Sequence, residues 1–129
     1  MVDSSVWIRA LRAGSDLRIE DLVDFDEVVT CLPVIQEILQ GFADERSFRV
    51  ARDAMLALPV VDSPLSVERV EQAVALFRLA RRHGLTVRSS IDCLIAASAL
   101  HHDLEVIHAD RDFDVIASVS GLRTTNVGR

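Results

Sequence analysis

Four acidic residues spread along the chain are the side chains best suited to chemistry: Asp3, Glu37, Asp92 and Asp110. Clustered carboxylates hold hard cations such as Mg²⁺ or Mn²⁺, which prefer oxygen ligands. One or two such ions can activate a water molecule and stabilise the leaving oxygen when a phosphodiester is hydrolysed. If the fold brings these acids together, they predict metal-dependent hydrolysis that needs no side-chain nucleophile.

Each acid also has a simpler interpretation. Asp3 could cap the first helix, Glu37 could be a solvated surface residue, and Asp110 could begin a turn. Asp92 falls in the first turn of a predicted helix, where the helix dipole favours an acid. That helix has almost no polar face, however, so a carboxylate at its mouth points to a further role.

Asp110 also opens a D-x-D-x-D run with Asp112 and Asp114. A calcium loop is excluded, because Val115 stands where that loop requires Gly and Gly121 where it requires Glu. A solvated helix start is the simpler interpretation for Asp114, and the role of Asp112 stays open. The histidines and cysteines show no metal-ligand spacing.

The elements that must position the acids alternate between strands and helices. Strands are predicted over residues 2–3, 27–32, 60–61, 104–108 and 122–127. Helices are predicted from residue 4 to a stop at Gly14, and over 33–42, 48–58, 67–83, 91–101 and 113–119, with Ser66 and Ser90 as caps. This order predicts an α/β fold whose parallel sheet is covered on both faces. Ligands bind beyond the carboxyl ends of such strands, so the acids could meet at one edge.

Length and composition set the class of protein. A chain of 129 residues with 50% hydrophobic residues predicts one domain, 1–129, with a real core. No apolar run approaches the roughly 18 residues of a membrane span. Asp3 lies where a secretory signal would carry positive charge. These features predict a cytoplasmic protein in which Cys31 and Cys93 are buried and unpaired.

Charge argues both for and against a nucleic-acid partner. The net charge of −6 is unusual for a nucleic-acid binder, although bound divalent cations would cancel part of it. All basic residues are Arg, so a P-loop NTPase and a response-regulator receiver, which both need Lys, are disfavoured. A haloacid-dehalogenase-type phosphatase would show D-x-D after strand one, where this chain has Asp3-Ser4-Ser5.

Four stretches of the chain resemble the VapC toxins of the PIN-domain family, in the family's order. They are V-D-S-S-V-W-I (2–8), I-Q-E-I-L-Q-G (35–41), R-S-S-I-D-C-L-I-A-A-S-A-L (88–100) and H-A-D-R-D-F-D (108–114). The likeness covers essentially the whole chain. Two departures are a very short first strand and His102-Asp103 where a helix-ending Gly is common, although Asp tolerates the left-handed conformation.

The resemblance implies a three-layer α/β/α PIN-like fold with a central parallel sheet, and an Mg²⁺- or Mn²⁺-dependent endoribonuclease that is the toxin of a type II toxin–antitoxin pair. It implies that Asp3, Glu37, Asp92 and Asp110 coordinate metal, that Ser5 orients Asp3 or a metal-bound water, and that Asp112 is an accessory acid. It also implies a homodimer and a VapB-like antitoxin that occludes the site.

The alternative is a catalytically silent PIN-like module that acts by binding a partner protein. The presence of all four acids argues against it, and loss of metal binding would favour it. If RNA is the substrate, candidate contacts are Arg9, Arg12, Arg88 and Arg111. Exposed apolar surface on the helices within 34–58 is the predicted antitoxin surface.

Overall fold

Helices and short strands alternate through the computed structural model, which describes residues 1–12 and 14–128. The helices of this part are α1 (Ser4–Leu11), α2 (Leu32–Leu39), α3 (Glu45–Leu56), α4 (Val67–Arg82), α5 (Ser90–His101) and α6 (Arg111–Val119). Its strands are β1 (Thr30–Cys31), β2 (Val60–Val61), β3 (Val106–His108) and β4 (Thr124–Asn126). None of these helices is both long enough and apolar enough to cross a membrane.

Every strand pair within the described residues is parallel, as the alternating pattern predicted. β1 pairs with β2, and β3 pairs with β4. Val2 forms a parallel bridge to Ile107 of β3, and the Ile107 amide donates to the Met1 carbonyl over 2.9 Å. Cys31 Sγ lies 3.7 Å from Met1 Sδ, so the first residues of the chain lie between the two strand pairs. β2 has the predicted bounds, whereas β1, β3 and β4 are shorter than the sequence pattern predicted.

The predicted strand over 27–32 is wrong in its first half. Residues Phe25–Glu27 form a 3₁₀ turn, and only Thr30–Cys31 pair with another strand. The turn has a local cause, because the Asp24 side chain accepts a hydrogen bond of 3.0 Å from the Asp26 amide and stabilises it. Val28 and Val29, which follow the turn, pair with no strand within the described residues.

Helix ends follow the sequence signals where those signals are local. Ser66 caps α4, and its Oγ accepts from the Arg69 amide over 3.1 Å. Gly84 closes α4 with φ +74°. The prediction that Ser90 caps α5 is wrong: Ser90 is the first residue of that helix, and Ser89 in the cap position makes no side-chain cap bond. A residue from another helix takes over this role, as described below.

Helix α5 forms the buried centre of the molecule. The residues that are buried along it are Asp92, Cys93, Ile95, Ala96, Ala97, Ser98 and Ala99. Their small side chains let α4 and α6 pack closely against it. Cys93 and Cys31 are both buried and free, as predicted.

A buried ion pair joins the end of β2 to the start of α4. Arg69 is only 4% exposed, and its Nε donates to Asp62 Oδ2 over 2.8 Å. His102, at the end of α5, brings its Nε2 to 3.3 Å from Asp62 Oδ1. Burial raises the pKa of Asp62, but hydrogen bonds from Arg69, Ser98 and His102 outweigh it and hold the pKa at about 2. Arg69 also donates to Gln72, so both members of the buried ion pair have further hydrogen-bond partners.

Candidate active site

Three carboxylates meet at the carboxyl end of β3. One oxygen each from Asp92, Asp110 and Asp112 lies within 4.8 Å of the others. Asp92 stands in the first turn of α5, Asp110 is the N-cap of α6, and Asp112 is in the first turn of α6. Asp3 and Glu37 lie outside this tight group but next to it, and their charges couple to Asp110. The structure thus brings all four predicted acids to one edge and places the accessory acid, Asp112, among the closest three.

Asp3 is held by the start of α1. Its Oδ2 accepts from the Ser5 amide over 3.1 Å and from Ser5 Oγ over 2.5 Å. Ser5 Oγ in turn accepts from the Ala109 amide over 3.0 Å, which ties α1 to the end of β3. Burial raises the pKa of Asp3 against the hydrogen bonds from Ser5, and the charge of Asp110 raises it further.

Asp92 has the most perturbed carboxyl group of the site. It is 3% exposed. Burial raises its pKa to about 9, together with the charges of Asp3 and Asp110 and a hydrogen bond with Asp110. Without a cation, Asp92 is therefore protonated at neutral pH, because its charged form would be buried beside other carboxylates.

Asp110 and Asp112 are fixed by backbone groups. Asp110 Oδ1 accepts from the Asp112 amide over 2.9 Å, and His108 Nδ1 accepts from the Asp110 amide over 3.2 Å. Asp112 Oδ2 accepts from the amides of Arg88 and Ser89 over 3.1 and 2.9 Å. Asp112 therefore fixes the start of α5 from the neighbouring helix, by accepting from the amide of its N-cap residue and from the amide before it.

Glu37 reaches the site from α2 and is only partly buried. Its Oε1 accepts from Ser4 Oγ over 3.0 Å. Burial raises the pKa of Glu37, the Ser4 hydrogen bond lowers it, and the charges of Asp3 and Asp110 raise it further. Ser4 is a site contact that the sequence reasoning missed, although the Asp3-Ser4-Ser5 run at a helix start was its visible sign.

Three carboxylate oxygens of the site are buried and have no hydrogen-bond partner among the described residues. They are Asp3 Oδ1, Asp92 Oδ2 and Asp112 Oδ1. A buried acceptor without a partner destabilises the fold by about 1–3 kcal/mol, so such groups usually have a reason to persist. An oxygen-seeking divalent cation held by Asp92, Asp110 and Asp112 would give such acceptors a partner and offset the repulsion among the acids. The donor set therefore fits such an ion.

Asp114, the last acid of the D-x-D-x-D run, has different surroundings from Asp110 and Asp112. Asp114 is half exposed and accepts from Asn126 Nδ2 over 2.8 Å. His108 is fully buried, and its Nε2 lies 3.6 Å from Asp114 Oδ1. Asp114 thus stays outside the closest carboxylates, in agreement with its interpretation as a solvated residue at a helix start.

Comparison with known proteins places the whole chain in one family. The model of the PIN domain matches residues 1–119. Ribonuclease VapC11 of Mycobacterium tuberculosis is 34% identical over 131 aligned residues, which cover 98% of this chain and 97% of that protein.

Two solved structures share the fold. VapBC2 of Rickettsia felis, solved with a fragment of promoter DNA, matches with a TM-score of 0.74 at 18% identity, over 98% of this chain and 96% of that one. VapBC-5 of Mycobacterium tuberculosis matches with a TM-score of 0.72 at 22% identity, over the same shares. The predicted α/β fold with a parallel sheet is confirmed, and the chain belongs to the PIN-domain family and, within it, to the VapC ribonucleases.

Proposed function

We propose that this protein is a metal-dependent endoribonuclease and the toxin of a type II toxin–antitoxin pair, acting in the cytoplasm. The observation that carries the proposal is the group of convergent carboxylates, whose buried oxygens have no hydrogen-bond partner among residues 1–12 and 14–128. A relative that is 34% identical over nearly the whole chain is named a ribonuclease, which gives the site its substrate class.

Asp3, Glu37, Asp92 and Asp110 would hold Mg²⁺ or Mn²⁺, with Asp112 as an accessory acid. When bound, the cation would supply Lewis acidity for the attack of water on an RNA phosphodiester. Asp92 keeps a proton at neutral pH in the metal-free protein, so binding releases that proton. Ser5 fixes the Asp3 carboxylate with two hydrogen bonds and leaves Oδ1 available.

Two arginines are the proposed contacts to the RNA backbone. Arg111 lies between Asp110 and Asp112 in the chain, and the Arg88 amide is bonded to Asp112. Both side chains are exposed, and neither makes an ion pair with any residue in 1–12 or 14–128. Arg9 is a weaker candidate, because its guanidinium donates to the Val127 carbonyl over 3.3 Å.

The antitoxin partner would bind an apolar groove between α1 and α3. The groove has a volume of about 430 Å³. Its main apolar lining residues are Trp7, Leu11, Phe25, Phe42, Val50, Ala54 and Leu58. Val50 is 65% exposed and Phe25 is 46% exposed, so this surface gains from being covered. It overlaps the region 34–58 predicted from the sequence, over residues 42–58.

We also propose a homodimer. Val67, Val70 and Val74 form an exposed apolar row along α4, with exposed fractions of 76%, 43% and 52%. Such a row on a soluble helix is typical of a surface that another chain covers. Light scattering on the isolated protein measures the assembly directly, and a monomeric mass would contradict the proposed dimer.

The first experiment is metal binding followed by thermal unfolding. A ligand that binds only the folded state raises the midpoint of thermal unfolding. At a concentration one hundred times its Kd, it adds about 2.7 kcal/mol to the free energy of unfolding. We expect Mn²⁺ to stabilise the wild type and Asp114→Asn, the control outside the closest carboxylates, but to stabilise Asp92→Asn much less. We expect the wild type and Asp114→Asn to cleave an RNA pool, with the new ends mapped by sequencing, and Asp92→Asn to cleave it much less. A wild type without any Mn²⁺ response would instead favour the silent, partner-binding module.

A further inference from the structure

Glu37 is the acid of the site with the weakest support from the backbone. The other acids stand at helix starts, where they accept hydrogen bonds or lie in buried surroundings, whereas Glu37 reaches in from the middle of α2. Its side chain has three rotatable bonds and is only partly buried. Ordering such a side chain costs up to about 2 kcal/mol of conformational entropy, so a contact must fix it.

The hydroxyl of Ser4 makes that contact. Ser4 is 8% exposed, and its Oγ donates to Glu37 Oε1 over 3.0 Å, across a separation of 33 residues. Over residues 1–12 and 14–128, no other hydrogen bond reaches the Glu37 carboxylate. The bond also joins the start of α1 to α2, so it links two elements at the site.

The two adjacent serines serve different acids. Consecutive residues of a helix point about 100° apart, so Ser4 and Ser5 cannot face the same group. Ser5 donates to Asp3 over 2.5 Å, and Ser4 donates to Glu37 over 3.0 Å. The division lets one helix start hold two carboxylates that belong to different parts of the chain.

We infer that Ser4 is a positioning residue for Glu37, whose hydrogen bond keeps this carboxylate directed at the cation site. The inference rests on the proposed function, because it assumes that Glu37 is a metal ligand. Loss of the bond frees Glu37 to turn towards solvent while the remaining acids stay in place. Metal affinity should then fall, although the fold and the other carboxylates are unchanged.

The test compares Mn²⁺ affinity, measured by isothermal titration calorimetry, between the wild type, Ser4→Ala and Ser4→Thr. We expect Ser4→Ala to weaken binding roughly ten- to 150-fold, the range for a lost hydrogen bond to a charged group. Ser4→Thr keeps a hydroxyl and should remain within about threefold of the wild type. Ser90→Ala removes an exposed serine from the first turn of α5, beside the same carboxylates, and should change binding less than twofold.

A double-mutant cycle with Glu37→Ala separates positioning from a general structural effect. In the Glu37→Ala background, the Ser4→Ala change should weaken binding by less than twofold, because the group that it positions is gone. An equal loss in both backgrounds would overturn the inference, as would unchanged affinity in Ser4→Ala alone. A wild type that binds no Mn²⁺ would overturn the proposed function as well. Unfolding midpoints of the metal-free variants show whether each one is folded.

Discussion

The clearest prediction concerns Asp112, whose two carboxylate oxygens perform different tasks. Oδ2 accepts from the amides of Arg88 and Ser89 over 3.1 and 2.9 Å, whereas Oδ1 is buried and has no hydrogen-bond partner in the part of the chain that the structure describes. Asp112→Ala removes both oxygens. Asp112→Asn keeps an oxygen for the cap and places an amide N–H₂ near Asp92 and Asp110, where it can donate. The pair of variants therefore separates capping from charge.

The magnitude follows from helix capping. Loss of a side-chain cap destabilises a protein by about 0.5–2 kcal/mol. A domain of this size loses roughly 3–5 °C of midpoint per kcal/mol. We therefore expect metal-free Asp112→Ala to unfold about 2–10 °C below Asp112→Asn. The Asn variant should be at least as stable as the wild type, since it removes one of several crowded negative charges.

Thermal unfolding followed by circular dichroism measures this difference, and hydrogen exchange locates it. In Asp112→Ala the Arg88 and Ser89 amides should exchange faster, whereas in Asp112→Asn they should stay protected. Asp114→Ala changes an acid in the same first turn that lies outside the cap, so it serves as the control. Equal midpoints for the Ala and Asn variants, with unchanged exchange at both amides, would refute the idea that Asp112 caps α5.

Two further predictions follow from groups with shifted pKa values. The pKa of Asp92 is raised to about 9, so the unfolded chain releases this proton near pH 4 while the folded chain retains it. The stability of the metal-free protein should therefore fall as the pH rises from about 4 towards 9. In Asp92→Asn the unfolding midpoint should depend less on pH, and parallel pH profiles for the two proteins would contradict the prediction. Asp62→Asn leaves Arg69 buried without its charge partner and should lose about 3–5 kcal/mol in urea unfolding. Asp103→Asn breaks the exposed ion pair with Arg123 and should lose little stability. Similar losses of stability in Asp62→Asn and Asp103→Asn would argue that the Asp62–Arg69 pair is not buried.

The sequence predicted the features that depend on neighbouring residues. The Ser66 cap of α4 and the extent of that helix are local signals, and the structure shows the cap and a helix over Val67–Arg82. The nearly continuous apolar body of α5 predicted its central place in the core. The alternation of elements predicted the parallel sheet, which in turn predicted that distant acids would meet at one edge.

Contacts between distant residues were beyond such reasoning. The Asp112 cap of α5 spans 23 and 24 residues, and the Ser4 bond to Glu37 spans 33 residues. Nothing near Arg69 in the sequence indicates that this arginine is buried against Asp62. Strand length failed for a similar reason, because the apolar run over 27–32 does not show where the partner strand ends.

The starts of three helices converge on the carboxylates, with Asp3 and Asp110 as N-caps and Asp92 in a first turn. Each helix start carries about half a positive elementary charge, so α1, α5 and α6 together present roughly +1.5 to the same small volume. A phosphate that approaches from solvent therefore meets a milder potential than a count of acids suggests. The backbone thus offsets part of the barrier that an acidic protein with a net charge of −6 would raise against a polyanion.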